Sequence, residues 1–122
     1  MMTPKIEALG RRALACNGWR WMPGILSLPP QADRCQRDGQ MMVGRLPDLS
    51  DPGTLGCVLA LAREAWKRPT AYLYYYGGSW YFNPQQSEPT DHPSGRTEAE
   101  ALVAALEAAP WPPNLKRWEG AP

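Results

Sequence analysis

The chain has 122 residues, of which 43% are apolar and 20% charged, enough to bury one core without disulfide staples. Thirteen Lys and Arg against twelve Asp and Glu leave a net charge of +1, which argues against a polyanion-coating protein and against an acidic mimic of nucleic acid. No run approaches the roughly 18 apolar residues of a membrane span, and Met1 to Ala15 lacks the apolar stretch of a secretory signal, so a cytoplasmic location is expected.

Thr3 to Cys16 reads as a helix. Thr3 suits the cap and Pro4 the first helical position, and Ile6, Leu9, Ala13 and Cys16 recur at helical spacing. Gly10 weakens its middle, which implies close packing there, and Asn17-Gly18 stops it. Trp19 to Met22 alternates like a short strand, Pro23-Gly24 signals a turn, and Ile25 to Leu28 forms a second short run. After a polar loop over Pro29 to Gly39, Gln40 to Leu46 reads as a further strand, with Met41 and Val43 on one face and Met42 on the other.

Asp51-Pro52 opens a second helix, whose apolar stripe is Leu55, Val58, Leu59, Ala62, Ala65 and Trp66. Gly53 and Gly56 lower its propensity and imply a close neighbour, and Lys67-Arg68-Pro69 ends it. Gly77-Gly78 then joins Ala71–Tyr76 to Ser79–Asn83 in a hairpin. A two-residue loop sets Tyr76 opposite Ser79, Tyr75 opposite Trp80, Tyr74 opposite Tyr81 and Leu73 opposite Phe82. One face then holds Ala71, Leu73, Tyr75, Trp80 and Phe82 and is expected to meet the core. The other holds Tyr72, Tyr74, Tyr76, Ser79, Tyr81 and Asn83. Pro84 to Gly95 is polar and unpatterned, and Thr97-Glu98-Ala99-Glu100 is a capping box for a last helix facing inward through Ala99, Leu102, Val103 and Leu106. The expected fold is α+β, a small antiparallel sheet of hairpins with about three helices in the order α-β-β-(β)-α-β-β-α. Residues 1–110 make one compact unit in this reading, and 111–122, rich in Pro and Trp, an extended tail pinned back by Trp111 and Trp118.

Chemistry-bearing residues are few. Cys16, Cys35 and Cys57 are far apart and His92 is the only histidine, so neither a metal site nor a cofactor is expected. Cys16 and Cys57 fit buried positions; Cys35 stands in a polar loop, but no cluster of positive charge is at hand to lower its pKa, so a reactive thiol is the minority reading there. Asp91-His92 reads as solvated surface, and no nucleophile or phosphate-loop motif occurs, so the chain is not expected to be an enzyme. The face of Tyr72, Tyr74, Tyr76 and Tyr81 is a stacking and hydrogen-bonding platform for a nucleotide base or a partner protein, an ordinary solvated sheet face, or a face that one of the helices covers. Trp19 and Trp21 flank Arg20, which either grips a phosphate or lies outside two core indoles. Arg34, Arg37, Arg63, Arg68 and Arg96 converge on an anion or remain unpaired surface charge. Arg outnumbers Lys, a ratio that an anion-binding role or a GC-rich genome would each produce.

Three stretches, Gly18 to Gly24 (GWRWMPG), Leu46 to Pro52 (LPDLSDP) with Thr54 to Cys57, and Thr97 to Pro110 (TEAEALVAALEAAP), resemble a group of small proteins encoded by bacteriophages and prophages. The likeness covers most of Thr3 to Pro110 and leaves out the loops at 29–40 and 83–96 and the tail. It carries no functional residue over. It implies a setting, a bacterial host cytoplasm during infection, where small accessory proteins bind and block host machinery such as defence systems. The expected function is therefore a non-enzymatic anti-defence inhibitor that occludes a host effector or sequesters a nucleotide signal. The signal version uses stacking by Trp19, Tyr74, Tyr76 or Trp80 and a phosphate grip by Arg20 or Arg96. A homo-oligomer is a further expectation, because pockets between subunits give small domains concave sites. The alternatives are a nucleic-acid-binding accessory protein, disfavoured by the neutral charge, and a small hydrolase.

Overall fold

The structure, a computed structural model, describes residues 4–30, 32–84 and 92–110. Helix α1 spans Pro4–Leu14, α2 spans Pro52–Trp66 and α3 spans Glu98–Ala108; strands β1, Tyr72–Tyr76, β2, Ser79–Asn83, and β3, Ser94–Gly95, form one antiparallel sheet in the order β1-β2-β3. The fold is α+β, in the order α-α-β-β-β-α. The readings for 111–122 and for Asp91 lie outside the described residues.

The strands expected at 19–22, 25–28 and 40–46 do not form. In their place the chain between α1 and α2 is an irregular layer held by isolated bridges, Leu26 to Arg34 and Ser27 to Pro47. Prolines at 23, 29, 30 and 47 remove N–H donors throughout this region, so no ladder extends beyond one residue pair. Alternation alone mimicked strands: Met42 is buried whereas Met41 and Val43 are 82% and 79% exposed. Trp21, Ile25, Cys35 and Met42 form their own small core beside the main one.

Capping fixes the helices where the sequence places them. The Asp51 carboxylate accepts the Thr54 N–H at 2.9 Å, and Lys67 ends α2 in the left-handed conformation. The buried Thr54 hydroxyl accepts the Leu26 N–H at 2.9 Å, tying the irregular layer to α2. Gly10 is closely packed as expected, since an added Cβ would lie 3.3 Å from the Pro47 carbonyl. The same expectation holds for Gly53, which abuts Arg34, but fails for Gly56, which is exposed and open. Thr97 caps α3 through the Glu100 N–H, while Glu100 reaches back to the Arg96 N–H rather than to the Thr97 N–H of a standard box.

Leu9 and Ala13 of α1, Val58, Leu61, Ala62 and Ala65 of α2, and Phe82 of β2 surround α3. Its buried set, Ala99, Ala101, Leu102, Val103, Ala105 and Leu106, is wider than the expected stripe because α1, α2 and the sheet all pack against it. Trp66 closes this core, its indole N–H donating to the Ala105 carbonyl at 2.9 Å and its ring 6.0 Å from that of Phe82. Arg12 and Glu107 form a two-point ion pair between α1 and α3, at 2.6 and 3.0 Å.

Three carboxyl pKa values are depressed by partners of this kind. Lys5 and the Arg96 N–H do so at Glu100, Arg12 at Glu107, and Arg34 with the Thr54 groups at Asp51. A carboxyl held below its ordinary value of about 4 contributes stability above that value and loses it as pH falls through the depressed one. Unfolding free energy is therefore expected to be flat from about pH 7 to 5 and to decline below about pH 4, as urea melts across that range will read.

Candidate functional site

The hairpin forms in the expected register, from Tyr72 opposite Asn83 to Tyr76 opposite Ser79. Gly77 and Gly78 both adopt positive φ, 60° and 88°, which a two-residue turn of this type requires. The core face is correct at its base, where Ala71 and Phe82 are fully buried, but not at its tip. Tyr75 is 60% exposed and lies beside the half-buried Trp80, with ring centroids 5.3 Å apart. The hairpin thus carries its aromatic tip past the main core.

The opposite face is an ordered aromatic surface. Tyr74 stacks on Tyr81 across the strands, with centroids 5.2 Å apart and planes within 16°, and Tyr72 packs against it at 6.1 Å. His92, just before β3, meets Tyr74 edge-on, and its Nδ1 lies 2.7 Å from the Tyr74 hydroxyl in a hydrogen bond. Asn83 donates to the Tyr72 hydroxyl at 3.0 Å. Tyr76, 74% exposed, extends the surface toward the turn. Burial, with Tyr81 and Tyr72 alongside, pushes the Tyr74 pKa up, so it stays a neutral phenol. No residue of β1 or β2 carries a formal charge at neutral pH.

His92 was expected as solvated surface and is instead half-buried against Tyr74. Residues 92–95 were expected to belong to a loop, yet β3 pairs Gly95 with Trp80 and Ser94 with Tyr81. A strand of two residues has no periodicity to read. What sets β3 in place is Gly95, where an added Cβ would lie 2.4 Å from the Glu100 Cβ and 2.8 Å from the Ala101 nitrogen.

The other candidates do not join this surface. Trp19 is partly buried and packs edge-on against Trp21 at 5.6 Å, the core arrangement weighed for these indoles. Arg20 is bound by two carboxylates, Asp38 at 2.6 Å and Glu64 at 2.5 Å. Tyr74 and Tyr76 share a face, whereas Trp80 projects from the other side of the sheet. Arg96 is exposed between β3 and α3, and its guanidinium meets no aromatic of the surface among the described residues. Three of the scattered arginines are engaged separately and not around one anion site: Arg34 binds Asp51 and the Gly24 carbonyl, Arg63 the Ala71 carbonyl and Arg68 the Lys67 carbonyl. Cavities of 410, 410, 330 and 240 Å³ open elsewhere, and none of these four is lined by a candidate aromatic.

Cys35 is 2% exposed, so its polar loop folds inward and the thiol is enclosed, against the minority reading of a reactive thiol. Burial raises the Cys16 pKa to about 11 and also raises that of Cys57, which suppresses thiolate at both. Among the described residues no cluster of His, Cys, Asp and Glu is arranged to hold a metal, and no helix is long and apolar enough to cross a membrane. No family model, curated protein or solved structure matches the chain.

Proposed function

We propose that this chain is a binding protein that counters a bacterial defence by occluding a host protein, using the sheet face of Tyr72, Tyr74, Tyr76 and Tyr81. The resemblance to phage and prophage proteins supplies the setting and the class of partner. One observation carries the choice of surface: Tyr74 is held by the Tyr81 stack and the His92 hydrogen bond on an uncharged sheet face. Tyrosine suits such a role because a rigid ring gives large contact area at low entropy cost while its hydroxyl takes a directional bond. Pre-ordering lowers the cost of association further.

Occlusion is favoured over capture of a nucleotide signal by the state of Arg20. A phosphate would have to displace both Asp38 and Glu64 to reach that guanidinium. Affinity capture from bacterial cells with an active defence tests the reading. The wild-type chain is expected to retain a host protein, and Tyr76→Ser or Tyr81→Ser to cut its recovery at least about tenfold, near the threshold of an interface hot spot. Equal recovery by both variants would overturn it.

A further inference from the structure

The outer edge of β1 is unpaired among the described residues, because β1 is the terminal strand of the sheet. Edge strands are commonly protected by a charge, a proline or a bulge, and Tyr72–Tyr76 (YLYYY) has none. Of the five large apolar residues most exposed in the described structure, Tyr72, Tyr75 and Tyr76 lie on this strand.

The alternation of the ladder determines which backbone groups face outward. Across the two-residue turn, Tyr76 and Ser79 form a hydrogen-bonded pair, so Tyr74 and Tyr72 also bond inward to β2. The bonds of two residues confirm the phase. The Phe82 N–H, opposite Leu73, turns away from β1 and donates to Pro93 at 2.8 Å. Ala71, of the same parity as Leu73, uses its groups outside the ladder, its N–H on Arg68 and its carbonyl accepting from Arg63. The N–H and C=O groups of Leu73 and Tyr75 therefore point outward from the edge.

We infer that β1 is the seam of a homodimer, in which two copies pair antiparallel about a two-fold axis at Tyr74. In that register Leu73 of each copy faces Tyr75 of the other, and every outward group of both edges finds a partner. Centring on Leu73 would need the Ala71 groups, which are already bonded, and centring on Tyr75 would need Gly77, which lies in the turn at φ 60°. The side chains agree. Tyr74 meets its own symmetry mate, Tyr72 meets Tyr76 of the second copy, and no like charges face each other. The product is a continuous six-stranded sheet built from two copies of the three-strand order, with the tyrosine surface doubled. This seam does not depend on the proposed function, since it uses the strand edge and not the face.

Sedimentation of the full chain is expected to give a dimer at tens of micromolar, and Tyr75→Pro a folded monomer. Proline there removes only an outward N–H, which edge positions tolerate. Tyr75 lies on the other side of the sheet from the tyrosine surface, so failure of the seam and failure of the proposed function are separable. The register has its own test, independent of whether the proline variant folds. Non-hydrogen-bonded partners sit about 4.5 Å apart at Cα, within the reach of a disulfide. Tyr74→Cys should thus cross-link to itself under mild oxidation beyond the wild-type background. Tyr72→Cys, about 13 Å from its symmetry mate, should not. A monomeric wild type, a Tyr75→Pro variant that stays dimeric, or equal cross-linking at both positions would overturn the inference.

Discussion

Replacing Phe82 by alanine is expected to lower unfolding free energy by about 3–5 kcal/mol, the largest effect of any single truncation among the described residues. Phe82 is fully buried, has the largest volume of the fully buried side chains and packs against the Trp66 ring. Its loss removes both transfer free energy and contacts that the surrounding residues cannot restore, because Trp66 is fixed by its bond to Ala105 and Leu102 by helix α3. Urea denaturation should show a fall in midpoint with little change in slope. A loss below about 1 kcal/mol would mean that the sheet and helices do not share this core.

The second large effect contrasts two glycines. Gly95→Ala places a methyl group against backbone atoms of Glu100 and Ala101 at 2.8 Å, and no rotamer change relieves that contact. Overpacking of this kind costs about 1–3 kcal/mol or more, and here it should also loosen β3 from α3. Gly56→Ala introduces the same methyl group at an open helical position and should stabilise by about 0.5–1 kcal/mol. Thermal melts of the two variants against wild type check the opposite signs. Two shifts of the same sign would contradict the placement of β3 under the α3 N-terminus.

Features with local causes were legible in the sequence. Asp51-Pro52, Thr97 and Gly77-Gly78 act through their own few residues, so both caps and the hairpin register follow from reading them. What failed depends on distant partners. Trp19 to Met22 and Gln40 to Leu46 alternate as strands do, but among the described residues no neighbouring segment offers a ladder, and burial of Trp21 and Met42 decides their conformation. Cys35 looked solvated because its neighbours are polar, yet its thiol turns into that second core.

The site divides along the same line. The tyrosine face was readable once the hairpin parity was known, and its members follow from alternation. His92 was not readable, because it reaches Tyr74 from a segment of different sequence context 18 residues away. Neither were the partners of Arg20, which lie 18 and 44 residues away in the chain and turn an apparent phosphate grip into an internal ion pair. The hairpin tip shows a further limit. Alternation assigns Tyr75 and Trp80 to the core side, but how far the helices extend beneath that side is a tertiary property.

The most direct test of the tyrosine-face reading is native mass spectrometry of the chain purified from bacterial cells with an active defence, alongside Tyr76→Ser and Tyr81→Ser. Occlusion predicts a mass for the chain joined to a host protein, present for wild type and lost in both variants. A wild-type chain carrying a nucleotide mass instead, or a protein complex that survives both substitutions, would contradict it.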